Sequence, residues 1–268
     1  MPTVKVNGVE LFYKESGSGA ETIVFSHGLL MDHTMFEPQR AAFESKYRVI
    51  AYDHRGQGQS ADPGWGHDMD MLALDASALV RTLGAAPCHF AGLSMGGFVG
   101  MRLAARHPGL VRTLTLMNTG ARKENPGTRL RYGTMARIAS IFSIAPFVPV
   151  AVKELFGHST RHDPTKAAMV QEWTAKLRSR PRNIASSVLA VVNRPEFVDE
   201  LSLIRCPVLV IAGEDDTAQP PKNSEHLASQ IRNSWVVRIP KCGHSSSLEQ
   251  PEAVIEAMRE LMSGAGRA

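Results

Sequence analysis

Continuous apolar runs alternate with helically spaced apolar residues along most of the 268-residue chain. Short runs at about 22–26, 48–52, 87–93, 111–117, 206–212 and 235–239 have the length and apolar density of buried strands. Between them, stretches near 36–43, 72–83, 98–107, 222–230 and 250–262 repeat apolar residues every three to four positions. Strands that recur between helices predict a mostly parallel sheet with helices on both faces. The amino end departs from this rhythm. Val4-Lys5-Val6 and Leu11 to Lys14 flank Asn7-Gly8, a pair that tolerates the positive φ of a tight hairpin, so the eight-stranded sheet is expected to begin antiparallel. A second departure runs from Ala121 to about Phe197, where no strand-like run occurs and helix-like stretches fall at 128–141, 148–156, 165–178 and 182–192. The pattern predicts a core of residues 1–120 and 198–268 and a helical cap, 121–197, inserted into it.

Composition narrows the class. With 43% hydrophobic residues the chain can bury a sizeable core as one α/β domain. Its net charge of +4 is unevenly spread: residues 121–182 hold twelve Lys and Arg against four Asp and Glu, so the remainder is net acidic. A basic cap would steer anions towards whatever lies beneath it, although solvated faces of amphipathic helices carry such charge too. No basic stripe is interleaved with aromatics, so a nucleic-acid partner is not expected. Met1-Pro2-Thr3-Val4-Lys5 lacks the apolar run of a signal peptide and no stretch is long enough to span a bilayer, which gives the expectation of a soluble, cytoplasmic protein. Three cysteines, Cys88, Cys206 and Cys242, read as inert thiols beside buried strands rather than as a disulfide. Nothing in the sequence specifies an oligomeric state.

The chemistry concentrates where predicted strands end. Gly92-Leu93-Ser94-Met95-Gly96 lies between a strand-like and a helix-like run, so Ser94 falls on a strand-to-helix turn whose glycines admit close backbone approach. The helix that follows points free N–H groups at the same place, favouring negative charge on a substrate oxygen. Downstream, the run 206–212 ends in Gly213-Glu214-Asp215-Asp216, and the run 235–239 leads to Pro240-Lys241-Cys242-Gly243-His244. A serine, an acid and a histidine thus follow in order, each after a strand. Upstream, Thr22 to Ser26 leads into His27-Gly28-Leu29, a plausible loop for binding an oxyanion. Other histidines have ordinary explanations: His226 falls in a predicted helix, and His107 at a helix end where the dipole favours charge. The cluster His67-Asp68-Met69-Asp70 precedes a helix that an Asp would cap, which is a simpler reading than a metal site.

Taken together, the His27-Gly28 loop, Asp53-His54-Arg55-Gly56-Gln57-Gly58-Gln59-Ser60, the turn at Ser94 and the Asp216 and His244 segments resemble the α/β-hydrolase superfamily over nearly the whole chain. Within it the chain is most similar to small cofactor-free esterases, enol-lactonases and haloperoxidase-like enzymes. The resemblance implies a Ser94, His244 and Asp216 triad, an oxyanion hole from the backbone N–H groups of Leu29 and Met95, and Asp53 and Arg55 as loop-stabilising residues. It prefers Asp216 over the adjacent Asp215, because the family's acid lies three residues after the strand-ending Gly and about four before a Pro, here Gly213 and Pro220. The implied activity is hydrolysis of a small carboxylic ester or lactone through an acyl-enzyme, with no metal and no organic cofactor. A serine rather than an aspartate at position 94 disfavours dehalogenase and epoxide hydrolase chemistry. Ser94-Met95-Gly96-Gly97 also resembles the carbon-carbon bond hydrolases of aromatic degradation, which stay as an alternative, as does a ligand-binding receptor with slow hydrolysis. In the cap, Trp173, Phe142, Phe147 and His162 are candidates for the pocket wall, with packing between helices as the default role of the aromatics.

Overall fold

The structure is a computed structural model that describes residues 2–264. It contains strands β1 (Thr3–Val6), β2 (Val9–Ser16) and β3 (Thr22–Ser26), helix α1 (Glu37–Phe43), β4 (Arg48–Tyr52), α2 (Met69–Thr82), β5 (Cys88–Leu93), α3 (Met95–Arg106) and β6 (Val111–Met117). Helices α4 (Pro126–Ile141), α5 (Val148–Leu155), α6 (His158–Arg161), α7 (Ala167–Arg178) and α8 (Ile184–Val192) follow without a strand. The chain closes with β7 (Val208–Gly213), α9 (Pro221–Ser229), β8 (Ser234–Ile239), α10 (Ser246–Glu249) and α11 (Pro251–Ser263). The eight strands form one sheet in the order β1-β2-β4-β3-β5-β6-β7-β8. Pairings β1–β2 and β2–β4 are antiparallel and the rest are parallel. The first hairpin turns through Asn7 and Gly8 at φ 44° and 78°, the two positive angles expected of that pair.

Every residue of β3, β5 and β7 is buried, as the unbroken apolar runs require of strands covered on both sides. On one face α2, α3 and α9 pack over Val24, Phe90, Leu114 and Val210; on the other, α1 and α11 cover Ile23, Phe25, Leu209 and Ile211. Val148, Leu155, Trp173 and Ile184 from the helices between β6 and β7 join this second cluster, so these helices are seated on the sheet layer through shared apolar contacts.

Several boundaries move from their expected places for local reasons. Helix α2 starts at Met69, because Asp68 caps it by accepting from the N–H groups of Asp70 and Met71 at 3.1 and 3.0 Å. Helix α3 starts at Met95, directly after Ser94, since packing against the sheet overrides the poor helix propensity of Gly96 and Gly97. Strand β7 begins at Val208 and not at Cys206, because Pro207 has no N–H to place in the ladder. His107 does not fit the dipole reading: burial, with Arg81 and Arg106 nearby, holds its imidazole below the ordinary value. Burial pushes the thiols of Cys88 and Cys206 up to about 12 and 11, in keeping with inert sulfurs. Among the described residues no helix is long and apolar enough to cross a membrane.

The loop after β4 is pinned by a buried ion pair. Arg55 Nε and Nη2 donate to the two oxygens of Asp75 at 2.6 and 2.7 Å, with both side chains fully enclosed, and Asn7 Nδ2 adds a third bond to Asp75 at 2.9 Å. Asp75→Ala is expected to cost about 3–5 kcal/mol, because it strands a buried guanidinium. Urea unfolding measures this, and a change below about 1 kcal/mol would show that the pair does not hold the loop.

Candidate active site

All the expected site residues lie at the carboxyl edge of the parallel strands. After β5, Ser94 takes φ 52° and ψ −108°, a left-handed conformation that costs a non-glycine residue roughly 1–3 kcal/mol. Three hydrogen bonds hold it there: its N–H donates to the Met117 carbonyl (2.9 Å), and its own carbonyl accepts from Phe98 N–H (3.0 Å) and the Thr119 hydroxyl (2.9 Å). Glycine is required on both sides by close approach, since a Cβ on Gly92 would collide with the Gly96 carbonyl and one on Gly96 with the Ser26 carbonyl. The serine side chain makes no capping bond to α3 and is partly exposed to a cavity.

His244, in the loop after β8, is fixed by the loop after β7. Its Nδ1 lies 2.8 Å from Asp216 Oδ2, which makes Nδ1 the protonated nitrogen and leaves Nε2 as the acceptor. Asp216 Oδ2 also accepts from Asn118 Nδ2 (3.0 Å), and Oδ1 accepts from the N–H groups of Ala218 (2.9 Å) and Gln219 (2.8 Å). Asp215 turns the other way and accepts from Ser159 N–H at 2.9 Å, so only one of the adjacent carboxylates reaches the histidine. Burial opposes charge on His244, yet the Asp216 carboxylate, with Glu249 and Glu154 further off, outweighs it and raises the imidazole above its ordinary value of 6.5. The stabilisation of the folded state by this protonation is therefore complete below pH 6.5 and lost as pH rises through the raised value. An NMR titration of His244 is expected to give a midpoint above 6.5 that falls in Asp216→Asn; an unchanged midpoint would remove Asp216 as the cause.

Two residues that the sequence did not single out organise this loop. Asn118, at φ 50° just past β6, spans Asp216 and the Gly243 carbonyl with one amide nitrogen, both at 3.0 Å. Glu249 is buried, and its carboxylate accepts from three backbone N–H groups: Gly243, Ser245 and Gly157, each at 2.9 Å. Two of these bracket His244 and the third lies between α5 and α6. The Ser245 N–H also donates to the Leu155 carbonyl at 3.0 Å. Glu249→Ala leaves buried donors unsatisfied at roughly 1–3 kcal/mol each, so a loss on the order of 3 kcal/mol is expected by chemical denaturation, and Glu249→Gln should recover part of it. Equal losses in the two variants would show that hydrogen-bond acceptance is not what Glu249 contributes.

The loop after β3 faces Ser94 from the opposite side. Among the described residues no acceptor is paired with the N–H groups of Leu29 or Met95, the latter being the first residue of α3. His27 shapes the loop: its Nδ1 donates to the Gly28 carbonyl (2.8 Å), its Nε2 accepts from His54 N–H (3.0 Å), and burial keeps it below its usual value and neutral. Gln57 accepts from Leu30 N–H at 3.1 Å and reaches Met95 Sδ at 3.5 Å. Asp53 braces the neighbouring turn by accepting from the N–H groups of His33 (2.7 Å) and Gln59 (2.8 Å). Arg180, after α7, donates to the Leu30 carbonyl (2.9 Å) and to Asp32 (2.8 Å).

Ser94, Leu29 and His244 line one cavity of about 630 Å³, while Asp216 sits behind the histidine. Helices α4, α5 and α8 and the connection between α4 and α5 supply its apolar wall, including Met135, Ile144, Leu155, Ile184 and Val188. Of the four cap residues proposed for this wall only Phe147 reaches it. Trp173 is buried in the core with Lys176 over its ring at 4.2 Å, Phe142 is 67% exposed, and His162 stacks on His158 away from the cavity.

A family model described as alpha/beta hydrolase fold matches residues 21–251. A non-heme haloperoxidase from Rhodococcus erythropolis is 30% identical over 256 residues, 91% of this chain and 93% of that protein. Among solved structures, a thermophilic esterase from Thermogutta terrifontis superposes with a TM-score of 0.90 at 29% identity, over 98% of this chain and 96% of that one. An enol-lactonase from Burkholderia xenovorans gives a TM-score of 0.90 at 29% identity, over 98% and 100%.

Proposed function

The chain belongs to the alpha/beta hydrolase fold family, and from that membership we propose that it is a serine hydrolase acting on a small carboxylic ester or lactone through an acyl-enzyme. The observation that carries the proposal is the convergence on one cavity of a strained serine, a histidine backed by a carboxylate, and Leu29, whose peptide N–H, like that of Met95 directly after the serine, has no acceptor among the described residues. A serine hydroxyl is a poor nucleophile at neutral pH. His244 Nε2 removes its proton as Ser94 Oγ bonds to the carbonyl carbon, and Asp216 stabilises the imidazolium that results. The carbonyl oxygen, now carrying the electron pair, is held by the N–H groups of Leu29 and Met95. Collapse of the intermediate breaks the bond to the alcohol oxygen, which leaves with the proton from His244. Water then adds to the acyl group by the same route, its proton passing to His244 and on to Ser94 Oγ. In this proposal residues 121–197 form a cap over the Ser94 site, and the esterase and enol-lactonase among the structural relatives support an ester or lactone bond as the target.

Wild-type protein is expected to hydrolyse 4-nitrophenyl esters over many turnovers, and Ser94→Ala is expected to lose at least about 10³-fold in kcat/KM with its unfolding curve unchanged. Hydrolysis that survives in the well-folded variant would sink the nucleophile assignment.

A further inference from the structure

The cavity is electrostatically lopsided. Five cations line it, Arg122, Lys123, Arg131, Arg194 and Lys222 among them, against two carboxylates, Glu124 and Glu154. Both carboxylates are already engaged. Glu124 pairs with Arg194 at 2.8 Å, and Glu154 accepts from the hydroxyls of Tyr132 (2.8 Å) and Thr217 (3.3 Å). Among the described residues, Arg122, Lys123, Arg131 and Lys222 make no ion pair. All four are exposed as well as cavity-lining, so they sit where the cavity meets solvent. Loop 120–123 and the start of α9 approach each other there, since a Cβ on Gly120 would lie 3.0 Å from Gln219 Oε1 and 3.4 Å from Asn223 Cβ.

A second observation points the same way. One turn along α9 from Lys222, His226 adds an imidazole to the lining of the same cavity. The opposite wall is apolar, and about 630 Å³ falls within the range of roughly 300–1,000 Å³ that encloses drug-sized ligands, well beyond the needs of a two- or three-carbon ester.

We propose that the substrate is amphiphilic: a carboxylic ester whose apolar arm lies along the wall of α4, α5 and α8 and whose far end carries an anion met by Arg122, Lys123, Arg131 and Lys222. The ester part rests on the serine-hydrolase proposal; the anion part does not. Charges at a cleft mouth with low-dielectric walls focus the field inward, raising association with an anion by 10-fold or more in a salt-dependent way.

The test compares mono-4-nitrophenyl suberate with 4-nitrophenyl octanoate, which share leaving group and chain length and differ by one terminal carboxylate. Wild type is expected to favour the suberate by about tenfold in kcat/KM at low salt, with the preference shrinking in 0.5 M NaCl, beyond the Debye screening of exposed charges. Arg122→Glu with Lys222→Glu is expected to lower the suberate-to-octanoate ratio by at least about tenfold. Arg137→Glu with Arg178→Glu, equal in charge and off the cavity, should move the ratio less than about threefold. A wild-type preference for octanoate, or equal effects from both charge reversals, would overturn the proposal. Calorimetric binding of suberic acid monoamide against octanamide to Ser94→Ala separates the two layers. Anion-selective binding without turnover of either ester would sink the serine-hydrolase reading and leave the anion site standing. Turnover without anion preference would do the reverse, and neither turnover nor selective binding would overturn both.

Discussion

The close approach of α3 to the ends of β3 and β5 is the constraint on which the site depends. Gly92 and Gly96 let the helix begin one residue after the strand, with the Gly96 backbone against the Ser26 carbonyl. That approach leaves Ser94 no conformation but a left-handed one, and the bonds to Met117, Phe98 and Thr119 offset the strain. It also fixes where the first N–H of the helix points. Hydroxyl position and donor position are consequences of one backbone contact, so the two cannot be adjusted independently.

Charge at the site is managed mainly through the main chain. Asp216 accepts from two peptide N–H groups and an amide side chain besides His244, and Glu249 accepts from three peptide N–H groups. Backbone donors satisfy a carboxylate without neutralising it, so both carboxylates act on His244 as charges and raise its imidazole despite burial. The ion pair of Arg55 and Asp75 does the opposite work at a distance, cancelling charge where only rigidity of the loop after β4 is needed.

What the chain made legible were features whose cause is local. Apolar runs marked the strands, Asn7-Gly8 the hairpin, and the Gly-x-Ser-x-Gly spacing the turn at Ser94, because each depends on residues adjacent in sequence. The preference for Asp216 over Asp215 came from the family resemblance, which places the acid relative to Gly213 and Pro220. Asn118 was not legible, since its partner Asp216 lies 98 residues away, and Glu249 was not, since a carboxylate in a helix reads as a surface charge and its tie to Gly157 spans 92 residues. Arg180 braces Leu30 across 150 residues for the same reason. Phe147 could not be told from Trp173 as a wall residue, because helical periodicity gives a buried face without saying whether that face meets core or cavity. The start of α3 was missed where tertiary packing outweighed the propensity of two glycines.

The inserted helices are fastened to both halves of the site: Arg180 ties their far end to the loop after β3, while Gly157 and Leu155 are tied to the histidine loop through Glu249 and Ser245. Swinging them away from the sheet would uncover the Glu249 carboxylate and its peptide donors and pull on the very loop that carries His244. A displacement of these helices would therefore be transmitted to the histidine loop through the Glu249 carboxylate, which joins the two.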